Sequence, residues 1–148
     1  MRAVVVMSQS IGGILTYETA KADPDGMAFK AYLDQLAALG TPFAALGTPF
    51  VTSAGNNGEQ RPNIDLLPQV LEDEDTPIIN VGAVDYQGKL WSGSQDGDQV
   101  TIYAAGFPSE SQSKKDKTPI LTGGTSLAAP AVAGLIATCT QSECTNYL

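Results

Sequence analysis

Three short apolar runs, rich in β-branched residues, constrain the fold of this 148-residue chain more than any other feature. They cover residues 1–7, 50–54 and 77–84, and polar or glycine-rich residues follow them. Apolar side chains at successive positions are typical of strands buried on both faces, as in parallel sheets. A fourth strand is predicted over residues 99–105, after a polar turn.

Two helical patterns accompany these strands. Asp23 and Pro24 are typical of an N-cap and a first helical position, and apolar residues then recur at three- and four-residue spacing, which predicts a helix over 24–39. A second helix is predicted over 127–139, with Pro130 in its first turn; it is apolar all round, which predicts burial against the sheet. Strands alternating with helices predict an α/β fold with a mainly parallel sheet flanked by helices.

A seven-residue duplication lies between the first helix and the second apolar run. Residues 37–43 and 44–50 have identical sequences. We interpret the copy as a tandem duplication, with a functional loop as the alternative, and expect it to leave the helix over 24–39 and the strand over 49–54 intact. Residues 109–117 are polar and charged, and predict a surface loop.

Charge and cysteine content exclude several classes of function. Sixteen acidic residues against eight basic ones give a formal charge of −8, which disfavours nucleic acid and anionic membranes as partners. No apolar run approaches the roughly 18 residues of a membrane span. Cys139 and Cys144 are too few for a zinc site, and the acidic run 72–75 is interpreted as a solvated loop rather than a calcium site. We therefore expect no metal and no cofactor.

The chain contains no histidine, and this absence limits its chemistry. Histidine is the commonest general base at neutral pH and a common metal ligand. Any catalysis must therefore use serine, lysine, carboxylates or backbone dipoles, or take a base from elsewhere.

The loop after the first strand and two further polar segments are expected at the carboxyl ends of the strands, where open α/β sheets bind ligands. The run Gly123-Gly124-Thr125-Ser126 leads into the last helix and places Ser126 beside backbone N–H groups that stabilise an oxygen anion. Asn56 lies in the glycine-rich turn after the second strand. Local pattern alone favours an N-cap role for Ser126 and an ordinary turn role for Asn56.

Taken in order, these segments resemble the subtilisin-like serine peptidase (subtilase) family over nearly the whole chain. The segment that resembles the family's nucleophile region begins at Gly124, and the one that resembles its oxyanion-hole region begins at Ser53. The matching stretches are Gly124-Thr125-Ser126-Leu127-Ala128-Ala129-Pro130, Ser53-Ala54-Gly55-Asn56-Asn57-Gly58, Ile79-Asn80-Val81-Gly82-Ala83-Val84-Asp85, Trp91-Ser92 and Tyr103-Ala104-Ala105-Gly106.

The resemblance implies a role for each matching residue. Ser126 would be the nucleophile, and Asn56 would supply an oxyanion donor beside the N–H of Ser126. Residues Ser53, Ala54 and Gly55 would line the pocket for the substrate side chain before the scissile bond, and Ser8 would lie in the loop that holds the substrate backbone. In this family the catalytic Asp and His precede the serine in the chain.

Residues 1–148 therefore resemble the C-terminal portion of a peptidase domain, a partial subtilisin-like fold without the Asp- and His-bearing portion. The expected function is serine endopeptidase chemistry on a peptide or protein substrate, with the missing N-terminal half as a candidate partner. Without that half we expect this chain to be inactive. The alternative is an inactive pseudo-peptidase that binds peptides. Secretion is expected of a full-length family member, and pairing of Cys139 with Cys144 stays open.

Overall fold

A four-stranded parallel sheet is the centre of the computed structural model, in which the strands follow one another in chain order. The strands are β1 (Val5–Met7), β2 (Phe50–Ser53), β3 (Ile78–Val84) and β4 (Ile102–Ala105). The structure describes residues 5–7, 16–28, 30–31, 50–59, 63–64, 69–72 and 78–138. The predicted α/β class with a mainly parallel sheet is confirmed.

Both faces of β2 and β3 are covered, which explains why their sequences are almost continuously apolar. Alternating side chains pack into two separate hydrophobic clusters. One cluster contains Ala20, Phe50, Ala54, Ile64, Val70, Leu71 and Ile78. The other contains Val51, Ile79, Val81 and Ala83 together with Ala128, Ala129, Val132, Ala133 and Ile136.

The residues that the structure describes before β2 include two helical segments. The sequence analysis missed α1 (Tyr17–Ala22), which Thr16 caps by accepting a hydrogen bond from the N–H of Thr19. The second, α2, includes residues 24–28, 30 and 31. Asp23 is its N-cap as predicted, because its Oδ1 accepts from the N–H of Asp25 at 2.9 Å. The rest of the predicted helix over 24–39 and the duplicated residues 37–49 lie outside the described residues.

The last helix, α3 (Thr125–Thr138), packs one face against the sheet. It begins two residues before the predicted start at Leu127. Burial all round was the wrong expectation within the described residues, because Leu127 and Leu135 are 42% and 59% exposed. None of the described helices is long and apolar enough to span a bilayer.

A β-hairpin occupies most of the segment that was predicted to be a surface loop. Strands β5 (Ser109–Gln112) and β6 (Pro119–Thr122) pair antiparallel. The turn between them uses Lys117 at a φ of 60° and Asp116, which accepts from both the N–H and the hydroxyl of Thr118. These bonds hold the pKa of Asp116 below its usual value. The prediction failed because an exposed hairpin tolerates polar residues that otherwise indicate a loop.

A layer of buried polar side chains lies on the β2–β3 face opposite α3. Asn80 Nδ2 donates to the carbonyls of Gln69 and Gln99, each at 2.8 Å, and Gln69 Nε2 donates to the carbonyl of Ser53 at 2.9 Å. Thr52 is fully buried directly across from Asn80 in the strand register. Among the residues that the structure describes, neither the Thr52 hydroxyl nor Asn80 Oδ1 has a hydrogen-bond partner.

On the adjacent strand, β4, Tyr103 lies opposite Gly82 in the register and donates its hydroxyl hydrogen bond to Asp96 Oδ1. The side chain is 40% exposed. Desolvation by partial burial, followed by the hydrogen bond to Asp96 and the charge of that carboxylate, raises the pKa of Tyr103 from 10.0 to about 12.

We expect Thr52→Val to raise the free energy of unfolding by about 1 kcal/mol, because it removes a desolvated hydroxyl without changing the side-chain shape. Urea denaturation measures this change. The matched control is Thr125→Val, also at a fully buried threonine, whose hydroxyl bonds both Gly55 and Asn56. That control should lose about 1–3 kcal/mol. Equal destabilisation by the two variants would contradict the prediction.

We expect one of the five tyrosines to ionise about two pH units later than ordinary tyrosines, and Tyr103→Phe to remove that late step. Phenolate absorbance during an alkaline titration measures it. Because the folded pKa is raised, the contribution of Tyr103 to stability is complete below pH 10 and is lost as the pH rises towards 12. Tyr86→Phe is the control and should leave the late step in place. A late step that survives Tyr103→Phe would refute the assignment.

Candidate active site

The turn after β2 and the beginning of α3 meet through three hydrogen bonds. Asn56 Oδ1 accepts from both the N–H and the hydroxyl of Thr125, each at 2.9 Å. The N–H of Gly55 donates to Thr125 Oγ1 at 3.1 Å. The structure therefore brings together the two polar segments that the sequence analysis placed at the carboxyl end of the sheet.

Ser126 Oγ and the Asn56 side chain border the same small space beside Gly124. A Cβ atom built on Gly124 would lie 3.1 Å from Ser126 Oγ and 3.7 Å from Asn56 Nδ2. The amide orientation of Asn56 is fixed by chemistry, because the N–H of Thr125 is a donor and requires the oxygen of the amide to face it. The amide oxygen of Asn56 therefore faces Thr125, Nδ2 is the donor end of the amide, and both atoms lie 3.7 Å from the Cβ position built on Gly124. Both residues are exposed, so a ligand can reach them.

Ser126 is the second residue of α3, which excludes its interpretation as an N-cap. The N–H of Leu127 already bonds the carbonyl of Gly124 at 2.9 Å, whereas the N–H of Ser126 has no acceptor earlier in the helix. That N–H and the positive end of the helix dipole favour a negative charge at this position.

The beginning of α3 lies close against β4 because of Gly106. The N–H of Gly124 donates to the carbonyl of Gly106 at 3.0 Å. A Cβ atom on Gly106 would approach the Gly124 carbonyl oxygen to 2.7 Å and the Ala83 Cβ to 2.8 Å. Only a glycine permits this approach. Gly106 therefore helps to set the distance between the beginning of α3, which carries Ser126, and the sheet.

Pro130 does not occupy the first turn of α3, contrary to the prediction. It is the sixth residue of the helix, because the helix begins at Thr125. Proline has no N–H, so the carbonyl of Ser126 lacks its usual donor four residues later. The proline therefore removes one hydrogen bond of the regular α-helical pattern, four residues after the serine.

Gly55 holds a backbone conformation that favours glycine, with a φ of 117°. A Cβ atom there would lie 1.8 Å from Gln95 Oε1. The carbonyl of Gly55 accepts from the N–H of Gln95 at 2.9 Å, and Gln95 Nε2 donates to the carbonyl of Asn63 at 2.6 Å. Gln95 is fully buried, so the turn that carries Asn56 packs against a buried glutamine.

The other predicted site residues have mixed outcomes. Ser53, Ala54 and Gly55 directly precede Asn56, and all three are buried. The N–H of Ala54 bonds the carbonyl of Val81 at 2.9 Å, so this segment continues the line of β2. Ser8 lies outside the described residues, as do Cys139 and Cys144.

The sequence analysis missed two residues that shape the site. Thr125 was within the recognised motif, but nothing in the sequence showed that its hydroxyl would bond both Gly55 and Asn56. Gln95 lies about forty residues from Asn56, in a segment interpreted as a polar turn. No local pattern distinguishes a buried glutamine from a solvated one there.

No base contacts the serine in the part of the chain that the structure describes. No hydrogen bond reaches Ser126 Oγ from the described residues, and the sequence has no histidine. Within the same ranges, no group of three or more His, Cys, Asp or Glu side chains is placed to hold a metal ion. The arrangement thus offers a hydroxyl and two N–H donors, without a group to accept the proton of the hydroxyl.

Solved structures with a similar fold include a PatG macrocyclase in complex with peptide (TM-score 0.62, 20% identity, 90% of this chain and 35% of that chain). A mutant of the protease domain of PatA aligns with a TM-score of 0.55 and 23% identity over 89% of this chain and 42% of that one. A cold adapted subtilisin-like serine proteinase aligns with a TM-score of 0.52 and 22% identity over 89% and 40%.

The chain spans between a third and a half of the length of these structures. No curated protein matches the sequence significantly. The subtilase family model matches residues 2–146, nearly the whole sequence. The match to the subtilisin-like serine proteases thus covers the sheet, the Asn56 turn and the Ser126 helix together, and the chain belongs to the subtilase family.

Proposed function

We propose that this chain carries the nucleophile and the oxyanion hole of a subtilisin-like serine endopeptidase. Ser126 is the nucleophile, and its N–H and Asn56 Nδ2 are the oxyanion donors. The observation that carries the proposal is the pair of bonds from Thr125 to Asn56 Oδ1, because they orient the Asn56 amide and hold it next to Gly124, where Ser126 Oγ also lies. Subtilase membership supports it independently.

The proposed reaction is acyl transfer in two steps. Ser126 Oγ attacks the carbonyl carbon of the peptide bond and gives its proton to a general base, while the carbonyl oxygen becomes an anion held by the two N–H donors. The base then protonates the leaving amine, and the C–N bond breaks to give an acyl-enzyme. Water repeats the attack with the help of the same base and releases the acid and Ser126.

The general base of this reaction lies outside the 148 residues. We propose that a histidine supported by an aspartate comes from a polypeptide that supplies the Asp- and His-bearing part of the domain. The absence of histidine from the sequence and the partial coverage of the structural neighbours both support this requirement. That polypeptide is the proposed protein partner of the chain.

The proposed substrate is an extended peptide or protein segment. Ser53, Ala54 and Gly55 border the position of the side chain before the scissile bond, because they lead directly to Asn56. Ser8, after β1, is proposed to hold the substrate backbone. A chain of net charge −8 is not expected to bind nucleic acid or anionic membranes.

The second candidate function is peptide binding without cleavage. One observation favours it: a serine without a base keeps its proton at neutral pH and is a weak nucleophile. On this alternative, the same groove binds peptides, and adding a histidine-bearing partner restores no chemistry. Labelling with a fluorophosphonate separates the two functions, since it requires an activated serine.

We expect the 148 residues alone to show no fluorophosphonate labelling and no peptidase activity. Adding the Asp- and His-bearing portion of a subtilase domain, as a fusion or a second chain, should restore both, and Ser126→Ala should abolish both again. Mass spectrometry of the labelled peptide measures the site. Ser92→Ala, at another exposed serine, is the control and should retain labelling. Labelling that survives Ser126→Ala would show that the nucleophile is a different residue.

In the restored enzyme, Asn56→Leu should lower kcat by about 10²–10³ with little change in KM, the magnitude known for removing an oxyanion donor in subtilisin itself. The matched variant is Asn56→Asp, which keeps the oxygen that accepts from Thr125 and replaces the donor with a negatively charged oxygen. Its kcat should fall at least as far, because like charges then face each other in the transition state. Steady-state kinetics measure both, and a wild-type kcat for Asn56→Asp would disprove the role of Asn56.

A further inference from the structure

We infer that Gln95 is a positioning residue that holds the Asn56 turn in the geometry required for oxyanion binding. The effect of Gln95 on catalysis rests on the proposed function. Its effect on the position of the Asn56 turn can be measured in the chain without a partner. Gln95 is fully buried and bonds the carbonyl of Gly55, whereas Thr125 bonds its N–H.

The peptide units on both sides of Gly55 are fixed by different elements. On one side, the N–H of Gly55 donates to Thr125 Oγ1, whose hydroxyl donates in turn to Asn56 Oδ1. On the other side, the carbonyl of Gly55 accepts from the N–H of Gln95 at 2.9 Å. Asn56 follows Gly55 directly, so the orientation of its side chain depends on both contacts.

Gln95 is anchored well enough to act as a support. Its Nε2 donates to the carbonyl of Asn63 at 2.6 Å, and its own carbonyl accepts from the Ser94 hydroxyl at 2.9 Å. The oxygen of that hydroxyl accepts from the N–H of Ala83 in β3 at 3.0 Å. A continuous series of hydrogen bonds thus leads from the central sheet through Gln95 to the Gly55 turn.

The Gln95 side chain also fills the space against which Gly55 packs. Its Oε1 lies 1.8 Å from the position of a Cβ atom on Gly55. Removing the amide would therefore loosen Gly55 as well as Asn63. A shift of about 1 Å at a catalytic group is enough to cost up to about a hundredfold in rate. Gln95 contacts neither Ser126 nor Asn56 in the described hydrogen bonds, so its effect on them is indirect.

The chain offers a matched control in Gln99. Its Nε2 also donates to a backbone carbonyl at 2.6 Å, that of Val70, but it does not contact the Asn56 turn in the described hydrogen bonds. Gln95→Met and Gln99→Met replace each amide by an unbranched apolar chain of similar size. Both variants remove an amide that donates to backbone carbonyls, with Gln99 Nε2 also donating to Glu72 at 3.5 Å. Only Gln95→Met removes an amide that packs against Gly55, and the backbone bond from the N–H of Gln95 to Gly55 remains in both variants.

The experiment measures hydrogen exchange at the N–H groups of Gly55 and Thr125 in the full chain, because these two groups make the bonds that hold Asn56. Gln95→Met should reduce their protection at least tenfold, and Gln99→Met should leave it within about twofold of wild type. In the enzyme restored with the Asp- and His-bearing partner, Gln95→Met should lower kcat about tenfold to a hundredfold with KM within twofold. Equal protection in the two variants would overturn the inference.

A second variant decides the question if Gln95→Met does not fold. Gln95→Glu keeps the size of the side chain and its Oε1, and a protonated carboxyl can still donate to the carbonyl of Asn63. Once ionised it cannot donate. Protection at Gly55 and Thr125, corrected for intrinsic exchange, should therefore fall as the glutamate ionises. Protection that does not change with pH would overturn the inference. Failure of the proposed function is a separate result: the chain would then gain no activity with the Asp- and His-bearing partner. The exchange data would still test the role of Gln95 in that case.

Discussion

The candidate site depends on the two hydrogen bonds from Thr125 to Asn56 Oδ1. They join the turn after a strand to the first turn of a helix about seventy residues later. Because the N–H of Thr125 can only donate, the bonds also decide which end of the Asn56 amide faces Thr125. A single threonine therefore holds the two segments together and orients the Asn56 amide.

The parallel sheet brings these groups into reach of one another. In such a sheet the carboxyl ends of all strands lie at one edge, so the residues after β2 and the beginning of α3 share that edge. Gly106 lets α3 approach β3 and β4 closely. The alanines on the buried face of α3 have small side chains, which also permit a short distance between helix and sheet. The small residues of this helix are thus a requirement of the site geometry as much as of the core.

Secondary structure was predictable where burial and capping dominate. The continuous apolar runs predicted β1, β2 and β3, and Asp23 predicted the beginning of α2, because the signals lie within a few residues of the structure they specify. The hairpin β5–β6 was missed because its polar residues indicate a loop when they are considered locally. They form strands because Ser109–Gln112 pairs with Pro119–Thr122. Helix α1 was missed because its N-cap uses Thr16 and Thr19 without the glutamate or glutamine typical of a capping box.

The sequence by itself predicted the fold class and the candidate residues Ser126 and Asn56, and it showed that the 148 residues contain no histidine, because each is a matter of local pattern or composition. Tertiary structure decided that Ser126 is the second residue of its helix, that Pro130 lies in the second turn, and that Thr125 and Gln95 bond the N–H and the carbonyl of Gly55. Those facts depend on contacts between residues that are thirty to seventy positions apart. Whether a buried amide or hydroxyl finds a partner across such a separation is set by how the strands and helices pack, which no local pattern in the chain encodes.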